Sequence, residues 1–369
     1  MKISKYTTAA LAGALSLAGA DTIAELEQRI AALESQQSSV DGAYMGGGGL
    51  NWSDKTSVGG YGELHYNIGL DAGSDDKLDF HRWVLFVNHE FSDKIKMFSE
   101  LEIEHSFISS SSGGAVELEQ AYIEFDLDEQ VSGLKAKAGL FLTPLGILNE
   151  THEPNTFYGV ERNNVEKYVI PTTWWEGGAG VTKTTDNGFQ FDLNLTSALN
   201  ISDSYVRGGR EKVENHANPE LATTGRVRYT GFEGLELVAG GQYTASSDGD
   251  LSGLLLTTHA VYQKGGFQLK ALYAGWSFSG GANNPNQQGF YIEPSYRFET
   301  AAGDLGVFAR YGSMDAQTSS TANTDQEEYS FGVNYWPHEN VVLKADVNIA
   351  EPNGGDRSST ANLGLGYQF

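Results

Sequence analysis

Cysteine is absent from the 369 residues, which excludes a disulfide framework, a thiolate metal site and cysteine redox chemistry. Basic residues are few: 24 Lys and Arg stand against 48 Asp and Glu, so the basic footprint that a nucleic-acid partner needs is missing. Beyond the first twenty residues no apolar run reaches about 18 residues, which excludes a transmembrane helix. Helical periodicity is also scarce. Only one short stretch carries it, so no second core is available and the length favours one large all-β domain. Glycine, by contrast, is abundant at 45 residues, with 8 prolines.

What is present begins with "MKISKYTTAALAGALSLAGAD". A basic start (Lys2, Lys5), a small-residue apolar run and the A-x-A pattern Ala18-Gly19-Ala20 read as a secretory signal peptide over 1–20. Its removal leaves 22 basic residues against 48 acidic ones, a net charge of about −26. In residues 21–40, Ile23, Leu26, Ile30 and Leu33 follow steps of three and four, the seam of a coiled-coil helix. Thr22 and Glu25 fit a capping box. The same residues also suit one amphipathic helix lying on a larger body. Residues 41–57, with their glycine run, read as a linker.

From Val58 to Phe369 the period is two. In "VGGYGELHYNIGL", Val58, Leu64, Tyr66, Ile68 and Leu70 share one face, opposite Tyr61, Glu63, His65 and Asn67. "IKMFSELEIEH", "GFQFDLNLTSAL" and "VVLKADVNI" divide in the same way. About sixteen such segments of roughly ten residues follow one another, the length a tilted strand needs to cross a bilayer. Their connections alternate between short turns ("SDK", "KGG", "PHEN") and long polar loops ("SGGANNPNQQ", "GSMDAQTSSTANTDQ"). Short turns at one rim, long loops at the other and an even strand count predict a transmembrane antiparallel β-barrel of about 16 strands. Tyr61, Tyr66, Trp83, Tyr291, Tyr335, Trp336 and Phe369 are expected as aromatic girdles. The C-terminal "TANLGLGYQF" places Ala361, Leu363, Leu365, Tyr367 and Phe369 on the face toward lipid.

The signal peptide, the heptad helix, "VGGYGELHY", "VELEQAYIEFDL" and the terminal aromatic, with "AGLFLTPLGILNETHEPNTFYGVERNNVEKYVIPTTWWEGGAGV" above all, resemble outer-membrane porins of the phosphate-selective porin O/P type. The resemblance spans nearly the whole chain and is most specific over residues 58–181. It implies a sixteen-stranded homotrimeric channel for small solutes and ions, in contact with outer-membrane lipid of a Gram-negative bacterium. It further implies an N-terminal helix in the periplasm, and a terminal Phe369 read by the barrel-assembly machinery. No catalytic residue, cofactor or metal is implied.

Anion-selective members of that family use a ladder of Arg and Lys down the pore. Here the inward parity of two early strands carries Glu100, Glu102, Glu104, Glu124 and Asp126, while basic wall candidates are Lys135, Lys137, Arg226, Arg228, Lys270, Arg297, Arg310 and Lys344. Acids on one wall and bases on another give a transverse field. The plainer alternative is that these charges solvate the lumen and pair across strands. The connection 143–173 follows the fifth barrel strand and is too long for an idle loop. The resemblance implies that it folds into the lumen, where Glu150, Glu153, Glu161, Arg162, Glu166 and Lys167 would form the constriction. Glu150, Glu153 and Glu161 are expected to oppose a wall containing Arg226 and Arg228. The alternative is that the acids pair within the loop, with Arg162 and Lys167 holding its shape.

Other chemistries find weaker support. "NETHEP" brings Glu150, His152 and Glu153 together, but no second His stands at ligand spacing. "MGGGGLN" lacks the Lys and Ser/Thr of a phosphate-binding loop. A barrel enzyme acting on lipid needs a Ser and His pair on the outer wall, whereas His65 and His259 take the inward parity and His81, His89 and His105 fall near segment ends. A structural barrel tethered through its periplasmic helix is the third reading.

Overall fold

The computed structural model describes residues 50–53, 55–107, 113–201, 206–210, 212–213, 220–245, 251–280, 286–316 and 325–369, the first four by backbone alone. The signal peptide, the heptad helix and the first part of the linker lie outside the described residues. The linker expectation needs one correction. Leu50–Ser53 forms a short strand, β1, paired with Thr56–Gly69, β2, through Leu50↔Val58. The glycine run ends at Gly49, and the chain beyond it has a ladder partner within hairpin reach.

The other strands follow in order. They are β3 (Lys77–Ser92), β4 (Ile95–Glu104), β5 (Val116–Asp126), β6 (Leu134–Leu142), β7 (Trp175–Thr184), β8 (Phe189–Ser197), β9 (Leu221–Phe232) and β10 (Leu235–Ala245). Then come β11 (Ser252–Lys264), β12 (Phe267–Ser279), β13 (Gln287–Phe298), β14 (Asp304–Ala316), β15 (Asp325–His338), β16 (Val341–Pro352) and β17 (Ser358–Gln368). Each strand from β2 onward pairs antiparallel with the next, and β17 pairs back onto β2 from Thr360↔Gly69 to Gln368↔Tyr61. The result is a closed sixteen-strand barrel, β2 to β17, with no free edge. Phe369 is tied down: it exchanges two backbone hydrogen bonds of 2.9 Å with Gly60 and stacks on Trp83. Among the described residues no helix is long and apolar enough to cross a membrane.

Alternation sets the two faces. In β13, Gln287, Gly289, Tyr291, Glu293 and Ser295 are buried while Phe290, Ile292, Tyr296 and Phe298 are exposed. Leu193, Leu195, Leu256, Phe331 and Leu363 lie half open on the outside. Burying one such side chain fully is worth about 1.5–3 kcal/mol, so the outer band needs an apolar surround and would be an aggregation hazard in water. Three girdle expectations are corrected here. Tyr61, Tyr291 and Trp336 are 0 %, 2 % and 4 % exposed and point inward, because their strand parity puts them on the face that another segment fills.

That segment is the connection between β6 and β7, which contains a short π-helix, Val165–Val169. Leu145, Val165, Val169, Ile170 and Trp174 pack against the inward residues Leu255, Leu272, Trp276, Tyr291 and Met314 of β11 to β14. Tyr158 packs on Phe308, Trp336 and Val342 of β14 to β16. The inward face of β17 makes room for it with glycine. A Cβ at Gly366 would stand 2.4 Å from Pro154 and one at Gly364 would stand 3.1 Å from Val160. The glycines of "NLGLGYQF" are therefore explained by the close approach of this loop.

Candidate functional site

The loop is closed at its base by Asn149. Its amide donates to the carbonyls of Thr143 (2.7 Å) and Trp174 (2.9 Å), and its Oδ1 accepts from the Trp174 backbone (2.8 Å). Glu166 braces the interior: its carboxylate accepts from the backbone of Ile147 (2.5 Å) and Leu148 (2.7 Å) and from the Tyr291 hydroxyl (2.7 Å). Gly146, at φ +86°, makes this turn possible, since a Cβ there would lie 2.6 Å from the Glu166 carboxylate. Glu166 is fully buried, so it holds the loop's shape and does not line an aqueous passage.

Wall charges then fasten the loop by its backbone. Lys344 donates to the carbonyls of Phe157 (3.1 Å) and Gly159 (2.8 Å), and Lys270 to that of Thr156 (3.5 Å). Asp346 accepts from Val160 N–H (2.6 Å) and Glu328 from Asn164 N–H (3.0 Å). Trp276 donates from its indole to Val169 O (2.9 Å). The second long connection contributes Arg207, bound to the carbonyls of Lys167 (2.9 Å) and Thr172 (2.6 Å). A loop backbone in a narrow lumen would otherwise leave orphaned polar groups, and charged partners make the stronger hydrogen bonds.

The acids and bases named from sequence take unequal positions. Glu150 pairs directly with Arg226, which also holds Asp192 at 2.7 Å. Arg228 pairs with Glu236. Glu161 meets His65 and Asn67, both at 3.1 Å, on β2, and Glu153 is buried. The three loop glutamates therefore do not face Arg226 and Arg228 across a gap: one touches Arg226 and the others serve a different side. Arg310 pairs with Glu293 at 3.1 Å, Arg297 with Asp304 at 2.8 Å and Glu124 with Lys135 at 3.1 Å, each within the wall. Glu104 lies near Glu102 and Glu117.

On the β2–β5 side the inward charge is dense. Arg82 is buried between Glu63 (2.5 Å) and Glu102 (3.7 Å), lies over the Tyr61 ring and donates to His152 O (3.4 Å). His152 reaches the wall instead of its sequence neighbours Glu150 and Glu153: its Nε2 is 3.4 Å from Glu100 and 3.6 Å from Glu119. Burial alone would lower its pKa, but the two carboxylates outweigh burial and raise it to about 10. Burial also opposes ionisation of Glu161, yet the His65 bond holds it well below the usual carboxylate range.

Beside this network a cavity of about 60 Å³ is lined by Arg82, Arg162, Lys167 and Arg207, with His65 and His81, against Glu63 and Glu161. Arg162 Nη2 is buried there with no hydrogen-bond partner. With Arg82 taken up by Glu63 and Glu102, three cations, Arg162, Lys167 and Arg207, stand against Glu161 and make the cleft positive inside a strongly acidic protein. Sequence reading missed Arg82, Glu119 and Arg207. Glu119 sits at a β-bulge, where Glu100 pairs with Gln120 but Leu101 with Leu118; the extra residue turns Glu119 and Gln120 inward together and breaks the parity rule. Arg207 comes from a connection with no periodic signal at all.

No family model matches the chain. An uncharacterized protein of Aquifex aeolicus is 29 % identical over 332 residues, covering 79 % of this chain and 74 % of that protein. Among solved structures, an anion-selective porin from Comamonas acidovorans gives a TM-score of 0.61 at 13 % identity, over 85 % of this chain and 99 % of that one. The outer membrane channel DcaP of Acinetobacter baumannii gives 0.60 at 14 %, over 87 % and 99 %. A trimer form of OmpT, an outer membrane protein of Vibrio cholerae, gives 0.57 at 14 %, over 86 % and 100 %. At these identities the likeness concerns the fold, and the chain has the closed sixteen-strand antiparallel architecture of outer-membrane barrels.

Proposed function

We propose that this chain is a passive channel of the outer membrane for small hydrophilic and charged solutes, and that its narrowest passage favours anions such as phosphate. The observation that supports this most directly is the cation-rich cleft between the inner loop and β2–β3. Low-dielectric walls focus the field of a few charges there, so Arg162, Lys167 and Arg207 outweigh the acidic outer surface for an ion in transit. The acidic total of the chain then governs solubility and not selectivity.

The phosphate-selective porin O/P assignment belongs to the same proposal. So do a homotrimer in lipid, removal of residues 1–20, a periplasmic helix over 21–40, and recognition of Phe369 by the assembly machinery. The test is reversal potential of the purified protein in a potassium chloride gradient across a planar bilayer. Wild type is expected to favour chloride. Arg162→Gln with Lys167→Gln should move the potential toward cations by several-fold in permeability ratio, since each charge is worth on the order of 1 kcal/mol to an ion about 8 Å away in a partly aqueous lumen. A folded, inserted barrel that carries no current overturns the channel reading. An unchanged potential in the double variant overturns the placement of the filter.

A further inference from the structure

The geometry points to a metal site that the channel reading does not use: we propose that Glu100, Glu119 and His152 bind one divalent first-row transition-metal ion, fastening the inner loop to the β4–β5 wall. Glu100 and Glu119 come from adjacent strands and His152 from the loop, so the ion would bridge two parts of the chain that share no backbone ladder.

Three features of the site carry this. All three side chains are buried, at 1 %, 0 % and 3 % exposure, and one ligand atom of each lies within 4.8 Å of the others. His152 Nε2 stands 3.4 Å from Glu100 Oε1 and 3.6 Å from Glu119 Oε2. Donors about a tetrahedral ion at ~2.1 Å are separated by roughly 3.4 Å, whereas a charge-assisted hydrogen bond would draw the pair to about 2.8 Å. Glu119 Oε2 has no hydrogen-bond partner although Glu119 is wholly buried, and a carboxylate oxygen left so is costly unless a cation meets it.

The remaining atoms are already oriented as outer partners of ligands are. His152 Nδ1 lies 3.1 Å from Asn149 O. A carbonyl only accepts, so Nδ1 carries the hydrogen and Nε2 presents its lone pair in the neutral ring. Gln120 donates to Glu100 Oε2 (2.7 Å) and Thr173 to Glu119 Oε1 (2.8 Å). The second oxygen of each carboxylate is thereby fixed, and the first is turned to the common centre. The bulge at Glu119 aims an extra carboxylate inward. Buried charge agrees: Glu63 and Glu102 share the buried Arg82 guanidinium, while Glu100 and Glu119, equally buried, meet only the His152 ring as a charged partner among the ion pairs of the described residues, and a divalent ion compensates more of this than a single proton does. Imidazole with two carboxylates suits Zn²⁺ or Co²⁺, with a fourth position left to water.

The experiment is metal content by mass spectrometry on the full-length barrel, folded with excess Zn²⁺ and dialysed, for wild type and for Glu119→Gln. Wild type is expected to retain one more zinc per chain than Glu119→Gln. Taking the difference removes any ion held at the separate Asp79, His81 and His105 cluster. Glu153→Gln, a loop neighbour outside the ligand set, should retain as much as wild type. The Zn²⁺ affinity of Glu119→Gln and of His152→Asn should fall at least tenfold. A second measurement needs no variant: wild type folded with Co²⁺ should show the visible absorption of a low-coordinate cobalt site with a nitrogen ligand. Equal zinc content in wild type and Glu119→Gln overturns the proposal. So does a folded wild type without the cobalt bands, which would leave a proton on Nε2 as the partner of the two carboxylates.

Discussion

The same loop is held by two unlike walls. Toward β11–β14 it meets Leu255, Leu272, Trp276, Tyr291 and Met314 through Val165, Val169 and Ile170. Toward β2–β5 it meets Arg82, Glu100 and Glu119 through His152, and His65 through Glu161. Apolar packing is non-directional and scales with the area removed from water, so the first wall decides that the loop lies inside and roughly where. Buried charges cost several kcal/mol each to desolvate and repay it only in one geometry. The second wall therefore adds little net stability but selects one position of His152 and Glu161. The difference is one of labour: one wall supplies attachment and the other supplies register.

Breaking either wall should give the largest effects, and in different currencies. Trp276→Ala removes a wholly buried indole and its bond to Val169 O; we expect a loss of about 3–5 kcal/mol, read as a lower thermal transition and faster proteolysis of the loop. Arg82→Ala strands Glu63 and Glu102 and should cost a similar ~3–5 kcal/mol. Arg82→Met combined with Glu63→Leu and Glu102→Gln should recover most of it, whereas no second change of charge should rescue Trp276→Ala. Recovery of both, or of neither, would erase the distinction between the walls.

A smaller effect sharpens the picture within the loop. Glu166→Ala leaves the Ile147 and Leu148 amides without their acceptor and should destabilise by roughly 2–3 kcal/mol, with increased open-channel noise in single-channel records because the loop loses its brace and not its attachment. The smallest is expected at β17. Gly366→Ala places a methyl group 2.4 Å from Pro154; the loop must yield, at about 1–3 kcal/mol. Its single-channel conductance should change while barrel closure, read from heat-dependent gel mobility, does not.

Some of this was legible early. The inward and outward residues of β2, β4 and β17 follow from parity alone, because successive side chains of a strand point to opposite faces whatever lies beyond. The alternation of short and long connections is likewise a local property. Parity also supplied the inward positions of Arg226, Arg310 and Lys344, but not their partners. Glu150 and Arg226 are 76 residues apart, and Lys344 and Phe157 are 187 apart. Trp336 and Tyr291 misled because an aromatic near a strand end suits either a lipid girdle or a lumen filled by a loop.

The amino-acid sequence by itself determined the sixteen strands of the barrel, the face that most of their side chains take, and the long connection after the fifth barrel strand that enters the lumen. Those features rest on a two-residue repeat and on chain length, which are properties of each segment alone. Only the tertiary structure decided that Glu166 is an internal brace, that a bulge turns Glu119 inward, and that His152 leaves Glu150 and Glu153 to join Glu100 on the wall. Such choices are settled by which desolvated charge finds which partner across the barrel, and that competition has no counterpart in any short stretch of sequence.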